Sequence, residues 1–232
     1  MNDHRVKAMF EEIAFSYDLQ NSVLSLRRDV AWRKVLAEMI AAPAGGVVLD
    51  VAVGTAEVAQ EICRRRPGLS VLGVDFSPAM LRVGHKKIAA RGLSGRIALT
   101  QGDARALPVR SGSVDVVTIS FGIRNIAERV AVLREFVRVL KPGGQVMVME
   151  FGYPRNPVLH RLYRLYFDHV LPPVGNWLSR TDYAYSYLVE SVDAFPTEPA
   201  FLAEMAEAGL SECAVRDLTF GIAKIYHGRK AG

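Results

Sequence analysis

Hydrophobic positions fall into two patterns along the chain. Short unbroken apolar runs begin at residues 47, 70, 97, 114 and 145, and stretches with three- and four-residue apolar steps lie between them. An unbroken run bounded by turn residues predicts a strand covered on both faces, and the helical steps supply the covering layers. The spacing predicts helices over 5–17 (Val6, Met9, Phe10, Ile13, Tyr17) and 30–40 (Trp32, Val35, Leu36, Met39), the second stopped by Pro43-Ala44-Gly45-Gly46. A helix to about Arg65 follows the first strand, and Pro67-Gly68 breaks it before strand two, 70–74. Ser77-Pro78 reads as an N-cap with proline at the first helical position, opening a helix through Met80, Leu81, Val83 and Ile88. Strand three is expected over 97–100 and strand four over 114–120. A helix from Glu128 to Leu140 then ends at Lys141-Pro142-Gly143-Gly144, before strand five at 145–150.

This order predicts an α/β fold, with a mostly parallel sheet and helices on both faces. Sites in such sheets gather beyond the C-terminal strand ends, where Asp50, Asp75, Asp103, Ser120 and Glu150 fall. Residues 153–195 differ: tyrosines, phenylalanines and a tryptophan crowd among prolines, too irregularly for a plain crossover helix. The stretch could cover an apolar substrate, form a satellite core or dimer surface, or present an apolar helix to a membrane. A helix over 198–208 and a hairpin from Cys213 to Tyr226, turning at Gly221, complete one domain, 1–232.

Composition narrows the classes. At 232 residues and 50% hydrophobic content the chain fills one core and is not disordered. Its net charge of +5 is spread thinly, unlike the stripe of a nucleic-acid protein, although it suits an anionic membrane surface. Cys63, Cys213 and the five histidines show no metal-ligand spacing, so no metal is expected. The absence of a signal stretch or a spanning run gives the expectation of a cytoplasmic protein, with peripheral membrane contact still open.

The first strand empties into a loop of small residues, Ala52, Gly54 and Ala56, and the second ends on Asp75, 25 positions after Asp50. Small side chains let a ligand approach the backbone, and an acid at the next strand end can accept ribose hydroxyls. The pattern predicts an extended adenosine-bearing cofactor. It competes with a bare turn, and Asp75 could also cap its helix at Ala79. Asp103 could meet an adenine amine or be a solvated turn residue. Asn125, after Gly122-Ile123-Arg124, could touch a ligand or cap the next helix.

These residues resemble a known family. Phe10-x-x-Ile13-Ala14-x-x-Tyr17-Asp18, Phe121-Gly122-Ile123-Arg124-Asn125, the Arg138–Gly144 run, Glu150-Phe151, Asp168–Pro172, the Tyr183–Ser191 segment and Leu218–Ile222 match its pattern. The chain is similar to class I S-adenosylmethionine-dependent methyltransferases, and more narrowly to the ubiquinone/menaquinone biosynthesis C-methyltransferases. The resemblance implies a Rossmann-like seven-stranded sheet with a C-terminal antiparallel hairpin, and methyl transfer from S-adenosylmethionine to a prenylated quinol, demethylmenaquinol first. It implies a cofactor site of Asp50, Ala52, Gly54, Thr55, Asp75, Phe76, Asp103, Ala104 and Ser120. Ala52 and Gly54 would line its methionine end, Asp75 the ribose, and Asp103 and Ala104 the adenine. Tyr17, Phe121, Asn125 and Tyr183 are the expected substrate contacts, and His169, Glu150, Arg124 and Tyr187 the candidates for helping to ionise the quinol. Helices within 5–42 and the segment 153–197 would cover the pocket, and a homodimer is compatible. The rival readings are a methyltransferase of another hydrophobic phenol or ring position, and a non-catalytic quinone-binding or assembly protein. The family normally reads Gly-Gly-Thr-Gly-Asp where this chain has Val53-Gly54-Thr55-Ala56-Glu57. If residue 56 needs positive φ, alanine costs about 1 kcal/mol there.

Overall fold

The computed structural model describes residues 18, 22, 25–171, 173 and 184–232. The elements are α1 (Arg28–Met39), β1 (Val47–Val51), α2 (Glu57–Arg65), β2 (Ser70–Asp75), α3 (Pro78–Ala90), β3 (Ile97–Gln101) and β4 (Val114–Ser120). They continue with α4 (Arg129–Val139), β5 (Leu140–Phe151), α5 (Pro157–Leu165), α6 (Ala184–Asp193), α7 (Glu198–Glu207), β6 (Leu210–Leu218) and β7 (Ala223–Lys230). The seven strands run in the order β3-β2-β1-β4-β5-β7-β6, all parallel except β7, which lies antiparallel to β5 and β6. This is the expected architecture. The helix expected over 5–17 lies outside the described residues.

Alternate strand residues explain the unbroken apolar runs. Val48, Val116 and Met147 face one core with Trp32, Leu36 and Ile62, while Leu49, Val117 and Val148 face another with Leu133, Phe136 and Phe201. Both faces are dry, so neither strand register nor facing needs a polar residue. Ser77 caps α3 as expected, its hydroxyl accepting from the Met80 N–H at 3.4 Å. Strand β5 starts earlier than expected, at Leu140, which pairs with Val114 before the register shifts ahead of Val116. The shift is permitted by Gly144, where a Cβ would stand 2.8 Å from the Leu140 side chain and 2.9 Å from the Lys141 carbonyl.

The aromatic segment is more regular than its composition suggested. Asn156 caps α5, its side chain accepting from the N–H groups of Val158 and Leu159 at 3.0 and 3.2 Å, with Pro157 at the first position. The helix runs on into a π-helical turn, Tyr166–Val170. Phe167, Leu171 and Val192 form a small core under Tyr153, Tyr163 and Tyr187, so the satellite-core reading accounts for these described aromatics. No described helix is long and apolar enough to cross a membrane.

Candidate active site

The first loop turns sharply because three consecutive alternate residues, Ala52, Gly54 and Ala56, take positive φ of 52°, 55° and 66°. Only glycine adopts that region freely. Ala56 is fully buried and Val53 nearly so, both within the core on one sheet face. Glu57 forms an ion pair with Lys87. Lys87 also donates to Asp18 at 2.8 Å and to Thr55 at 3.3 Å, and the Thr55 hydroxyl donates to Asp18 at 2.6 Å. The three departures from the family pattern are therefore taken up by the core and an ion-pair cluster.

Asp50 sits at the end of β1, opposite Thr118 of β4 in the ladder, and the threonine hydroxyl donates to its Oδ1 at 2.7 Å. Its Oδ2 is buried without a partner among the described residues. Burial, reinforced by the nearby Asp75 carboxylate, pushes the Asp50 carboxyl up to about 7, against the Thr118 and backbone hydrogen bonds that lower it.

Asp75 is buried at the end of β2 and receives two backbone donors, Gly54 N–H on Oδ2 at 2.8 Å and Ser77 N–H on Oδ1 at 2.9 Å. Burial raises its carboxyl and these N–H groups oppose that. The acid therefore clamps the first loop to the next helix turn. Ser77 caps α3, and Asp75 does not bond Ala79, contrary to the capping alternative. Each carboxylate oxygen keeps a lone pair for a ligand hydroxyl. Phe76 stands next in line, its carbonyl accepting from Gln101 at 3.3 Å.

Asp103 is exposed and gripped by Arg105, with contacts of 2.8 to 3.2 Å that hold its carboxyl low. Ala104 packs partly under the same turn. At the end of β4, the Ser120 hydroxyl is buried without a partner among the described residues. Phe121 follows at positive φ, 56°, and packs tilted against Phe151 at 4.4 Å between ring centroids, with Trp32 beside both. Gly122 brings this loop against the first: a Cβ there would lie 2.9 Å from that of Ala52.

Arg124 and Glu150 form a buried pair. The guanidinium reaches the carboxylate at 3.1 Å, the Arg124 N–H donates to it at 3.2 Å, and the guanidinium also holds the Phe121 carbonyl. Burial raises the Glu150 carboxyl, and Arg124 pulls it down. Arg124 Nε donates to Ser191 of α6 at 3.2 Å, which ties the aromatic segment to the β4 loop. Asn125 is not an N-cap. Glu128 occupies the position before α4 and makes no side-chain cap, while the Asn125 Oδ1 is buried without a partner among the described residues.

Of the remaining expected residues, Tyr187 is half-buried in the satellite core and His169 is exposed on the π-helical turn. Tyr17 and Tyr183 lie outside the described residues. The sequence reading missed Thr118, Ser191, Lys87 and Asp18. Thr118 and Ser191 depend on sheet register and helix docking. Asp18 was visible in the Tyr17-Asp18 motif, without an assigned role.

An extended adenosine-bearing cofactor fits these residues. Small left-handed residues open the backbone of the first loop. The orphaned Asp50 Oδ2 and Ser120 Oγ are buried acceptors of the kind an ammonium group satisfies. The fold and this strand-end site define a class I methyltransferase architecture. It is shared, for example, with Haemonchus contortus phosphoethanolamine N-methyltransferase 2 in complex with S-adenosyl-L-methionine (TM-score 0.60, 15% identity, 85% of this chain and 51% of that one). The chain belongs to the ubiE/COQ5 methyltransferase family, which it matches over residues 1–230. It is 44% identical over 227 residues to the ubiquinone/menaquinone biosynthesis C-methyltransferase UbiE of Geobacter sulfurreducens, covering 97% of this chain and 88% of the relative. The demethylmenaquinone methyltransferase of Thermus thermophilus is 44% identical over 220 residues, 95% and 99% of the two chains.

Proposed function

We propose that this methyltransferase carries a methyl group from S-adenosylmethionine to a ring carbon of demethylmenaquinol. The observation that carries the cofactor half is the buried, unpartnered Asp50 Oδ2 beside a loop of three left-handed small residues. The acceptor half is supported by the similarity to the Thermus thermophilus enzyme along nearly the whole chain. Bound S-adenosylmethionine would supply an electrophilic methyl on a sulfonium.

In this reading Asp50 holds the cofactor ammonium, directly or through water, and Ala52, Gly54 and Thr55 line the methionine end. Asp75 accepts the ribose hydroxyls while keeping its grip on the loop. Phe76, Asp103 and Ala104 flank the adenine, and Ser120 stands near the transferred methyl. Phe121, Phe151 and Trp32 form an aromatic wall that excludes water, which strengthens every charge effect inside. Tyr17, Asn125 and Tyr183 are assigned to the acceptor ring.

Among the four candidates for ionising the quinol, Arg124 and Glu150 stand together at the mouth of β4 and β5. The ring hydroxyl gives its proton to water and Arg124 stabilises the quinolate oxygen; its electron density would move to the adjacent ring carbon, which bonds the methyl as the methyl–sulfur bond breaks and its electron pair returns to sulfur. Glu150 holds Arg124 in place, and the ring proton leaves to solvent. Tyr187 supports the wall from the satellite core, and exposed His169 has the least part in the chemistry. Residues 153–197 and the N-terminal helices act as the cover. A prenylated acceptor resides in a bilayer, so this reading carries peripheral membrane contact with it.

The test has two arms. Calorimetry with S-adenosylmethionine and S-adenosylhomocysteine should show micromolar binding that Asp75→Ala removes. Incubation with demethylmenaquinol, with the product mapped by mass spectrometry, should place one methyl on the quinone ring. Binding without turnover on that acceptor, but with turnover on another phenol, would overturn the acceptor. Failure of the folded protein to bind either cofactor form would leave a non-catalytic quinone binder.

A further inference from the structure

Every large hydrophobic side chain that is exposed among the described residues lies in one of three short segments. They are Leu26 and Val30 before and within α1, Val158, Leu159, Leu162, Leu165 and Val170 along α5 and its π-helical turn, and Phe220 between β6 and β7. The segments adjoin one another. Trp32 of α1 donates to the Thr219 hydroxyl at 2.8 Å, beside Phe220, and packs edge-on against Phe151 at the end of β5. On the other side of Phe220, a Cβ on Gly221 would lie 3.0 Å from the Tyr153 carbonyl and 3.5 Å from Pro154, which leads into α5.

Two features separate this patch from ordinary surface scatter. The two most exposed members, Leu26 at 79% and Phe220 at 75%, both stand on left-handed backbone, with φ of 51° and 60°. Holding a bulky side chain in that region costs free energy, and placing it in water recovers none. On α5, Val158, Leu162 and Leu165 follow helical spacing along one face, and the helix contributes no buried residue.

The charges in the same segments are one-sided. Arg27, Arg28 and Arg161 are exposed and have no ion pair among the described residues. The acidic groups within 26–34 and 155–170 are Asp29 and Asp168, and both are paired, with Arg33 at 2.8 Å and Arg164 at 3.1 Å. An apolar face edged by exposed arginines complements a surface that offers hydrocarbon beneath anionic headgroups.

We propose that this patch, centred on the α5 face and Phe220, docks the protein on an anionic lipid bilayer, with α5 lying in the plane of the interface. The proposal deepens the quinol reading by naming the surface that faces the lipid-borne acceptor, and it rests on that reading for the acceptor's location. The patch adjoins the Phe121–Phe151 wall through Trp32, so docking sets the acceptor's route beside the site.

Flotation of the full chain with vesicles of equal parts phosphatidylglycerol and phosphatidylcholine, or of phosphatidylcholine alone, tests it. Wild type should partition to the anionic vesicles, and Leu162→Glu should weaken this by about tenfold or more. Arg161→Glu should weaken only the anionic partitioning, by about fivefold, in a salt-sensitive way. Phe220→Ser serves as a second variant at a separate segment. Phe220→Ser, which lies outside the 153–197 cover, should turn over a water-soluble short-chain demethylated quinol like wild type. No partitioning by folded wild type, or equal partitioning by Leu162→Glu, would overturn the proposal. So would a dimer that Leu162→Glu splits while vesicles are ignored, which would make the face a subunit interface. Loss of short-chain turnover in wild type itself would instead sink the quinol reading and leave vesicle binding standing.

Discussion

Thr118 and Asp50 face each other across β1 and β4, and the threonine hydroxyl satisfies one carboxylate oxygen at 2.7 Å while the other is buried with no partner among the described residues. A carboxyl so placed titrates at about 7 in the free protein, where its ordinary value is 3.8. A cofactor ammonium beside Oδ2 favours the ionised form, so binding should expel a proton from Asp50. Calorimetry at pH 6.5 in buffers of different ionisation enthalpy should show release of a sizeable fraction of one proton. Asp50→Asn should show none.

The same carboxyl links stability to pH. The folded state holds this proton between pH 3.8 and about 7 while the unfolded chain has lost it. The group's stabilising contribution is therefore complete below 3.8 and lost as pH rises through 7. Asp50→Asn, without ligand, should gain in melting temperature relative to wild type at pH 8, keep only a smaller part of that advantage at pH 5 and lose it below 3.8. A constant difference between the two pH values would refute the assignment of the raised carboxyl to Asp50.

Gly54 offers a clean separation of fold from ligand. Its φ is 55°, and a Cβ there would meet nothing of the described residues within 4 Å. Gly54→Ala should cost about 1 kcal/mol of stability from the left-handed backbone alone. If the cofactor lies against this residue, affinity for S-adenosylhomocysteine should fall by much more than that, by about a hundredfold, as a direct clash. Unchanged affinity would put the ligand elsewhere.

The Arg124–Glu150 pair should behave as a unit. Arg124→Ala strands a buried carboxylate and should destabilise the fold by about 3 kcal/mol or more in denaturant unfolding. Replacing both, by Arg124→Met with Glu150→Leu, should recover much of that stability without restoring turnover. Recovery of turnover in the double variant would show the pair to be only structural.

Lys87 joins Asp18 to Thr55 of the first loop and Glu57 at the start of α2. Lys87→Met should raise the KM for S-adenosylmethionine by about fivefold with little change in kcat, because it releases the loop without touching the acceptor. The ionic members of the cluster are only half-buried, which limits the stability change to about 1 kcal/mol.

The sheet was legible because its central strands are dry on both faces, so their apolar runs need no partner to be recognised. Turn chemistry was equally plain at Ser77-Pro78 and at Gly143-Gly144. The aromatic segment misled through composition: Tyr163 and Phe167 looked irregular, yet Asn156-Pro157 starts a helix in the ordinary way. At the site, acids at strand ends could be picked out, but their partners could not. Which residue faces Asp50 is decided by the β1–β4 register, and which holds Arg124 is decided by how α6 docks, and neither is written locally. Asp75 shows the limit best: its position was evident, while its bond to the Gly54 N–H requires two strands to be neighbours.

Alanine at 52 and 56 leaves a mark on time as well as on energy. A methyl group makes left-handed backbone the costlier choice at both positions, so the bend is held by the burial of Ala56 and by the Asp75–Gly54 hydrogen bond, not by local preference. The loop thus rests in its bent shape before any ligand arrives. A cradle already bent needs no rearrangement of its own backbone to receive a ligand, so association there should not wait on that loop.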